Sequence, residues 1–218
     1  MDLNQARFNM IEQQIRPWEV LDPQVLNLLS VVRREDFVPL AHKALAFVDM
    51  EIPLGTAPGQ VMLAPRVQAR LLQELALKNT DKVLEVGTGS GFMAALMAHQ
   101  AASVLSLESD ASLAAQAQTH LQKAGVRNVT VRTADGSQGA PSDAPFDAIL
   151  LSGSVAQVPT ALLQQLKDGG RLVAIVGEEP MMRATVVTRN GDSFTTTEPW
   201  DCNAPRLAGF AEPSHFAF

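Results

Sequence analysis

The stretch Lys82-Val83-Leu84-Glu85-Val86-Gly87-Thr88-Gly89-Ser90-Gly91 decides how this chain folds. Val83, Leu84 and Val86 are apolar and β-prone, as a strand buried in a parallel sheet requires. Three glycines at alternate positions follow. Phe92-Met93-Ala94-Ala95-Leu96-Met97-Ala98-His99 is then dense in good helix formers. The order is strand, tight glycine turn, helix. Glycine permits positive φ and removes Cβ atoms that would hold a ligand off the backbone. The helix start behind the turn adds free N–H groups and the positive end of a dipole. Glu85 closes an otherwise apolar strand, where burying an unpaired acid is costly. It suits a ligand with a cationic part better than a pyrophosphate. The G-x-G-x-G spacing of Gly87, Gly89 and Gly91 also differs from the dinucleotide pattern G-x-G-x-x-G. A nicotinamide oxidoreductase is therefore disfavoured.

Downstream, Ala102 to Leu107 reads as a second strand ending in Glu108, 17 residues beyond Gly91. An acid at that tip can accept both hydroxyls of a ribose. A helix over 111–124 stops at Gly125. Val129 to Thr133 is a third strand, followed by Ala134-Asp135-Gly136. Asp135 can accept from an exocyclic adenine amine, although Asp-Gly is also a common turn. Phe146 to Leu151 is a fourth strand ending at Ser152-Gly153-Ser154, and Pro159 to Leu166 is a short helix. Asp168-Gly169-Gly170 turns into a fifth strand, Arg171 to Val176. Alternating strands and helices predict the α/β class with a doubly wound, mostly parallel sheet. Ligands sit at the carboxyl ends of such strands, where Glu85 to Gly91, Glu108, Asp135 and Ser152 fall.

The flanks read differently. Residues 3–14 form a helix ended by Arg16-Pro17. Asp22 caps a second helix with Pro23 at its first position, and Val25, Leu28, Leu29 and Val32 form its apolar stripe. These N-terminal helices serve as lid or buttress. Residues 44–66 are loop-rich, with Pro53, Gly55, Pro58, Gly59 and Pro65, and are placed to wall the ligand site. A helix from Arg66 to Leu77 leads into the glycine strand. Arg183 to Arg189, Asn190-Gly191 and Ser193 to Thr197 read as a C-terminal antiparallel hairpin with a type I′ turn. The tail after Asp201 carries Phe210, Phe216 and Phe218, which can dock on the sheet or on a second copy to give a homodimer. The division is a single domain with an extension (1–66), a cofactor-binding core (67–180) and a hairpin with tail (181–218).

The bulk numbers bound these readings. A chain of 218 residues fits one α/β domain. It is 46% apolar and only 18% charged, which excludes disorder. A net charge of −6 gives no electrostatic case for nucleic acid or an anionic membrane. Cys202 is the one cysteine, so no intramolecular disulfide forms and a reducing compartment fits. The opening Met1-Asp2-Leu3-Asn4-Gln5 lacks the basic and apolar regions of a signal peptide. No run approaches the about 18 apolar residues of a membrane span. A cytoplasmic location is expected. His42, His99, His120 and His215 lack metal-ligand spacing, so no metal is expected. No Gly-x-Ser-x-Gly elbow occurs.

Glu-x-Gly-x-Gly-x-Gly over 85–91 resembles the first motif of class I methyltransferases that use S-adenosylmethionine. The whole chain resembles the protein-L-isoaspartate O-methyltransferase family. The matching stretches are Val31-Val32-Arg33-Arg34-Glu35-Asp36-Phe37-Val38, Ile52-Pro53-Leu54-Gly55, Val83 to Gly91, Pro145-Phe146-Asp147-Ala148-Ile149, and Gly169 to Val173 with Val176-Gly177. The resemblance implies a Rossmann-like fold and S-adenosylmethionine as cofactor. Glu85, Gly87, Thr88, Gly89 and Gly91 would surround its methionine part, Glu108 would hold the ribose, and Asp135 with Gly136 would face adenine. Transfer would be an in-line displacement driven by proximity and orientation.

One signature departs. Where the family carries Thr-Ile-Ser, one further residue and Pro, this chain reads Val61-Met62-Leu63-Ala64-Pro65. Both hydroxyls are gone. The family's C-terminal segment is replaced by Trp200-Asp201-Cys202-Asn203-Ala204-Pro205-Arg206-Leu207. A desolvated carboxylate needs donors or a cation, and Leu63 supplies neither. The resemblance thus implies a retained donor half and an altered acceptor, a neutral or apolar small molecule. A protein isoaspartyl acceptor and a non-catalytic S-adenosylmethionine-binding protein are the alternatives.

Overall fold

The computed structural model describes residues 2–212; Phe216 and Phe218 of the tail lie outside them. Asp2 caps α1 (Leu3–Met10), its carboxylate accepting from the Asn4 and Gln5 amides. The helix expected to run to residue 14 goes on as a π-helical turn, Ile11–Ile15, and a 3-10 turn, Arg16–Trp18. Asp22 caps α2 (Pro23–Val31) through the Gln24 amide, with Pro23 at the first position. Two 3-10 turns follow, Arg34–Asp36 and Leu40–Leu45. The stretch read as loop contains a short antiparallel ladder, β1 (Ile52–Pro53) against β2 (Val61–Met62). Strands of two residues carry no readable period. α3 (Pro65–Leu75) then buries Val67, Leu71, Leu72 and Leu75.

The main sheet holds β3 (Lys82–Val86), β4 (Ser103–Glu108), β5 (Val129–Thr133), β6 (Phe146–Val155), β7 (Leu166–Glu178), β8 (Met181–Asn190) and β9 (Ser193–Asp201). Their order is β5-β4-β3-β6-β7-β8-β9. The first five are parallel, and β8 and β9 are antiparallel. α4 (Phe92–Ala98) follows β3, α5 (Ala111–Lys123) follows β4, and α6 (Thr160–Leu163) precedes β7. Alternate residues of β3 serve opposite layers: Val83 joins one apolar cluster, Leu84 and Val86 the other. The strand order reverses between β3 and β6, which opens the ligand crevice beyond their carboxyl ends. No helix among the described residues is long and apolar enough to cross a membrane.

Three boundaries differ from the sequence reading. β6 does not stop at Leu151 but continues through Ser152-Gly153-Ser154 to Val155, with a register shift between Leu150 and Ser154. Two partners carry the extension: Ser154 and Val155 pair Ile175 and Val176 of β7, and on the other side the Ser154 amide donates to the Pro205 carbonyl at 2.8 Å while the Leu207 amide donates to the Ser154 carbonyl at 2.9 Å. β7 begins at Leu166 rather than Arg171, because Phe146 pairs Leu166 and Ala148 pairs Arg171 while the residues between bulge outward at Gly169 (φ 74°). In the C-terminal hairpin Asn190 pairs Ser193, so the loop is Gly191-Asp192. Gly191 has φ 61° and Asp192 is not in the positive-φ region. A type I′ turn needs positive φ at both loop residues, so this turn is not one.

Candidate active site

The loop after β3 places Gly87, Gly89 and Gly91 at φ 91°, 52° and 85°. Each answers to a different neighbour. A Cβ on Gly91 would lie 3.2 Å from the Ala117 Cβ, so this glycine seats the loop on α5. A Cβ on Gly89 would lie 3.2 Å from Leu54 Cδ1, under the 54–60 loop. A Cβ on Gly87 would come within 2.8 Å of Leu207 Cδ2, so the tail reaches down onto the glycine loop. Above Gly87 and Gly89 lies a cavity of about 190 Å³, walled by the 54–61 segment, Glu108, Gly136, Ser152 and Arg206 to Ala208.

Glu108 stands where the second strand ends. Its Oε2 accepts from the Gly89 amide at 2.9 Å and its Oε1 from the Asp110 amide at 3.1 Å. The carboxylate keeps lone pairs for two ligand hydroxyls and borders the cavity. Asp110 caps α5 through the Ser112 and Leu113 amides and also accepts from Gln60 Nε2 at 3.0 Å. That bond latches the 54–60 loop across the cavity mouth. Asp135 accepts from the Ser137 amide at 2.9 Å, and a Cβ on Gly209 would come 2.6 Å from its Oδ1. Its carboxylate therefore meets the tail, while its neighbour Gly136 lines the cavity.

Glu85 is fully buried. Ser106 Oγ donates to its Oε2 at 2.6 Å and Ser152 Oγ to its Oε1 at 2.8 Å, and Thr88 Oγ1 lies 2.6 Å from Ser106 Oγ. Burial pushes the carboxyl up to about 7; the two hydroxyls pull it down and the Glu108 charge pushes it up further. A cation in contact would restore the charged form. A second, narrower chamber lies behind the glycine loop, bordered by Val61, Met62, Leu63, Gln68, Glu85 and Thr88. Gly87, Gly89 and Ser152 border both chambers, so the two adjoin.

A cavity beside a strand-end carboxylate, a Cβ-free floor and a buried acid below fit a nucleoside that carries an amino-acid tail. The family profile described as Protein-L-isoaspartate(D-aspartate) O-methyltransferase matches residues 5–202. The chain belongs to that family. A protein-L-isoaspartate O-methyltransferase of Koribacter versatilis (strain Ellin345) is 39% identical over 203 residues, covering 93% of this chain and 90% of that protein. Protein-L-isoaspartate O-methyltransferase 1 of Syntrophobacter fumaroxidans is 41% identical over 197 residues, covering 90% and 91%. A solved protein-L-isoaspartate O-methyltransferase shares the fold with a TM-score of 0.77 at 21% identity, covering 95% of this chain and 66% of that one. A structure from Plasmodium falciparum in complex with S-adenosyl-L-homocysteine has the same TM-score at 18% identity, covering 94% and 97%. Family membership accounts for the mostly parallel sheet and the glycine loop. Sequence reasoning missed Gln60, Gln68, Ser106 and Leu207, whose places are set by chain segments far from the glycine motif.

Proposed function

We propose that this family member transfers a methyl group from S-adenosylmethionine to a neutral acceptor rather than to an isoaspartyl carboxylate. The carrying observation is the wall at β2. Val61 borders both chambers, and Leu63 borders the inner one with its side chain buried. Leu54 and Leu207 extend the apolar surface around the outer cavity. The Leu63 carbonyl is already used, accepting from Arg34 Nη2 at 2.9 Å. An acceptor carboxylate there would lose its hydroxyl donors, at about 1.5–3 kcal/mol each, which slows transfer about 10²-fold or more for two.

Bound in this site, S-adenosylmethionine supplies a methyl group activated by its sulfonium charge. The chain's own residues then position and shield. Glu108 holds ribose hydroxyls, Gly87 and Gly89 let the ligand lie against the backbone, and Glu85 compensates positive charge near the amino-acid end. The 54–60 loop and the 205–208 tail exclude water from above. Rate comes from fixing acceptor and methyl in line.

The test is a radiolabelled methyl-transfer assay on an isoaspartyl peptide beside an authentic family member. Turnover at least about 10²-fold lower is expected, with recovery in Val61→Thr combined with Leu63→Ser. Comparable turnover refutes the neutral-acceptor reading. It would establish the second one, isoaspartyl methylation, which the 39–41% identity to relatives of that name favours.

A further inference from the structure

Methyl transfer to a neutral acceptor changes the charge of the site. The sulfonium becomes a neutral thioether. The nucleophilic atom of the acceptor gains a methyl group and must shed the proton it carried. An ionised carboxylate acceptor has no such proton. The site therefore needs a group that is charged while the sulfonium is present and takes a proton when it is gone.

Glu85 has that character. It is fully buried, and its carboxylate receives only hydroxyls, Ser106 Oγ at 2.6 Å and Ser152 Oγ at 2.8 Å. Among the described residues no ion pair reaches it, and the charged group that acts on it is the like-charged Glu108. Buried without a cation, the carboxyl is pushed up to about 7 and holds its proton at slightly acid pH. Gly87 follows two residues later, so a ligand lying on the glycine loop brings its charge close. At the effective dielectric of a protein, a positive charge within about 10 Å lowers a carboxyl pKa by about one unit or more. The amino-acid end of the cofactor is a zwitterion whose two charges largely offset each other, whereas the sulfonium has no offset of its own. Ser152 supplies a path for the proton. Its hydroxyl bonds Glu85, and it borders both the outer cavity and the inner chamber.

We propose that Glu85 is the proton acceptor of the transfer: it is ionised while S-adenosylmethionine is bound, and it takes up, through Ser152, the proton that the acceptor loses. The bonds balance. The acceptor atom forms its bond to the methyl carbon, and the carbon–sulfur bond breaks with its electron pair going to sulfur. The acceptor's proton passes to Ser152 Oγ, and the Ser152 hydroxyl proton passes to Glu85 Oε1. The buried carboxyl is then neutral when the sulfonium charge that matched it has gone. The next S-adenosylmethionine to bind drives that proton out to solvent. The assignment rests on the neutral-acceptor reading above, because an isoaspartyl carboxylate brings no proton to lose.

Calorimetry in two buffers of different ionisation enthalpy counts the protons released on binding. The ligands are S-adenosylmethionine and S-adenosylhomocysteine, with no acceptor present, at about pH 6.5, where the α-amino groups of both stay protonated. Wild-type protein should release about half a proton more with S-adenosylmethionine. Glu85→Gln, which keeps the size of the side chain, should abolish the difference. Ser152→Ala removes a donor to the charged form, so the pH at which the difference is largest should move upward. Equal release for the two ligands in wild-type protein overturns the proposal without recourse to any variant, and so does a difference that persists in Glu85→Gln. An unchanged pH dependence in Ser152→Ala overturns the path through Ser152. The isoaspartyl peptide assay fails separately: comparable turnover there refutes the neutral acceptor and with it the source of the proton, whereas equal proton counts refute the role of Glu85 and leave the neutral acceptor standing. Wild-type protein that binds neither ligand overturns the cofactor reading itself, and the proposal with it.

Discussion

Glu85 sits without exposure beneath the glycine loop, between the Ser106 and Ser152 hydroxyls, with its pKa pushed from 4.5 to about 7 by burial. Between those two values the native state keeps a proton that the unfolded chain has released. Stability therefore falls as pH rises through that window and is flat above it. The fully developed loss is about 3 kcal/mol, at 1.36 kcal/mol per pH unit. Glu85→Gln should remove this slope. Urea unfolding at pH 5 and pH 8 reads it, and an equal pH difference in the variant would sink the assignment. Glu108→Ala should weaken S-adenosylhomocysteine binding by about 1.5–3 kcal/mol, the scale of hydrogen bonds to a charged acceptor; an unchanged dissociation constant would leave it a loop-to-strand tie and no more. Both acids were visible in the sequence because a charge ending an apolar strand is anomalous. Gln68 and Gln60 were not, since a glutamine on a helix or loop is ordinary until the fold gives it a partner.

Two glycines outside the ligand floor separate turn chemistry from packing. Gly91 and Gly191 both have positive φ, 85° and 61°. A Cβ on Gly191 meets nothing within 4 Å, whereas one on Gly91 would press on Ala117 of α5 at 3.2 Å. Gly191→Ala should cost about 1 kcal/mol, the backbone penalty alone, and leave cofactor affinity unchanged. Gly91→Ala adds the strain of displacing α5, so it should cost more and also weaken binding through Glu108 and Asp110, which flank that helix start. Denaturant midpoints with paired calorimetry measure both; equal effects would mean that Gly91 serves the turn only. The strand–glycine–helix unit was legible because its periods and turn residues are local. The extension of β6 past Leu151 and the early start of β7 were not. Each depends on a partner far along the chain, Ile175 and Val176 of β7 with the 205–207 tail for one and Phe146 for the other.

The cavity has no single owner in the sequence: its walls come from the 54–61 segment, the β3 loop, the β4 end, Gly136, Ser152 and the tail at 206–208. The tail is tied to β6 by two backbone bonds at Ser154, and the 54–60 loop to α5 by the Gln60–Asp110 bond. A ligand touching all of these walls binds the native state alone and must raise global stability. At about a hundred times its dissociation constant the gain is about 2.7 kcal/mol. For a chain of this size each kcal/mol moves the melting temperature about 2–4 °C, so S-adenosylhomocysteine should raise Tm by about 5–10 °C. NAD should produce no shift at the same concentration, because Glu85 and the glycine spacing oppose it. Leu207→Ala should shrink the S-adenosylhomocysteine shift as well as lower the unliganded Tm, since Leu207 roofs Gly87 and Gly153 and also packs, partly buried, against the apolar cluster of Leu84 and Val86. A full shift in that variant would show that the tail packs over the site without contributing to it. A larger shift with NAD than with S-adenosylhomocysteine would overturn the cofactor assignment.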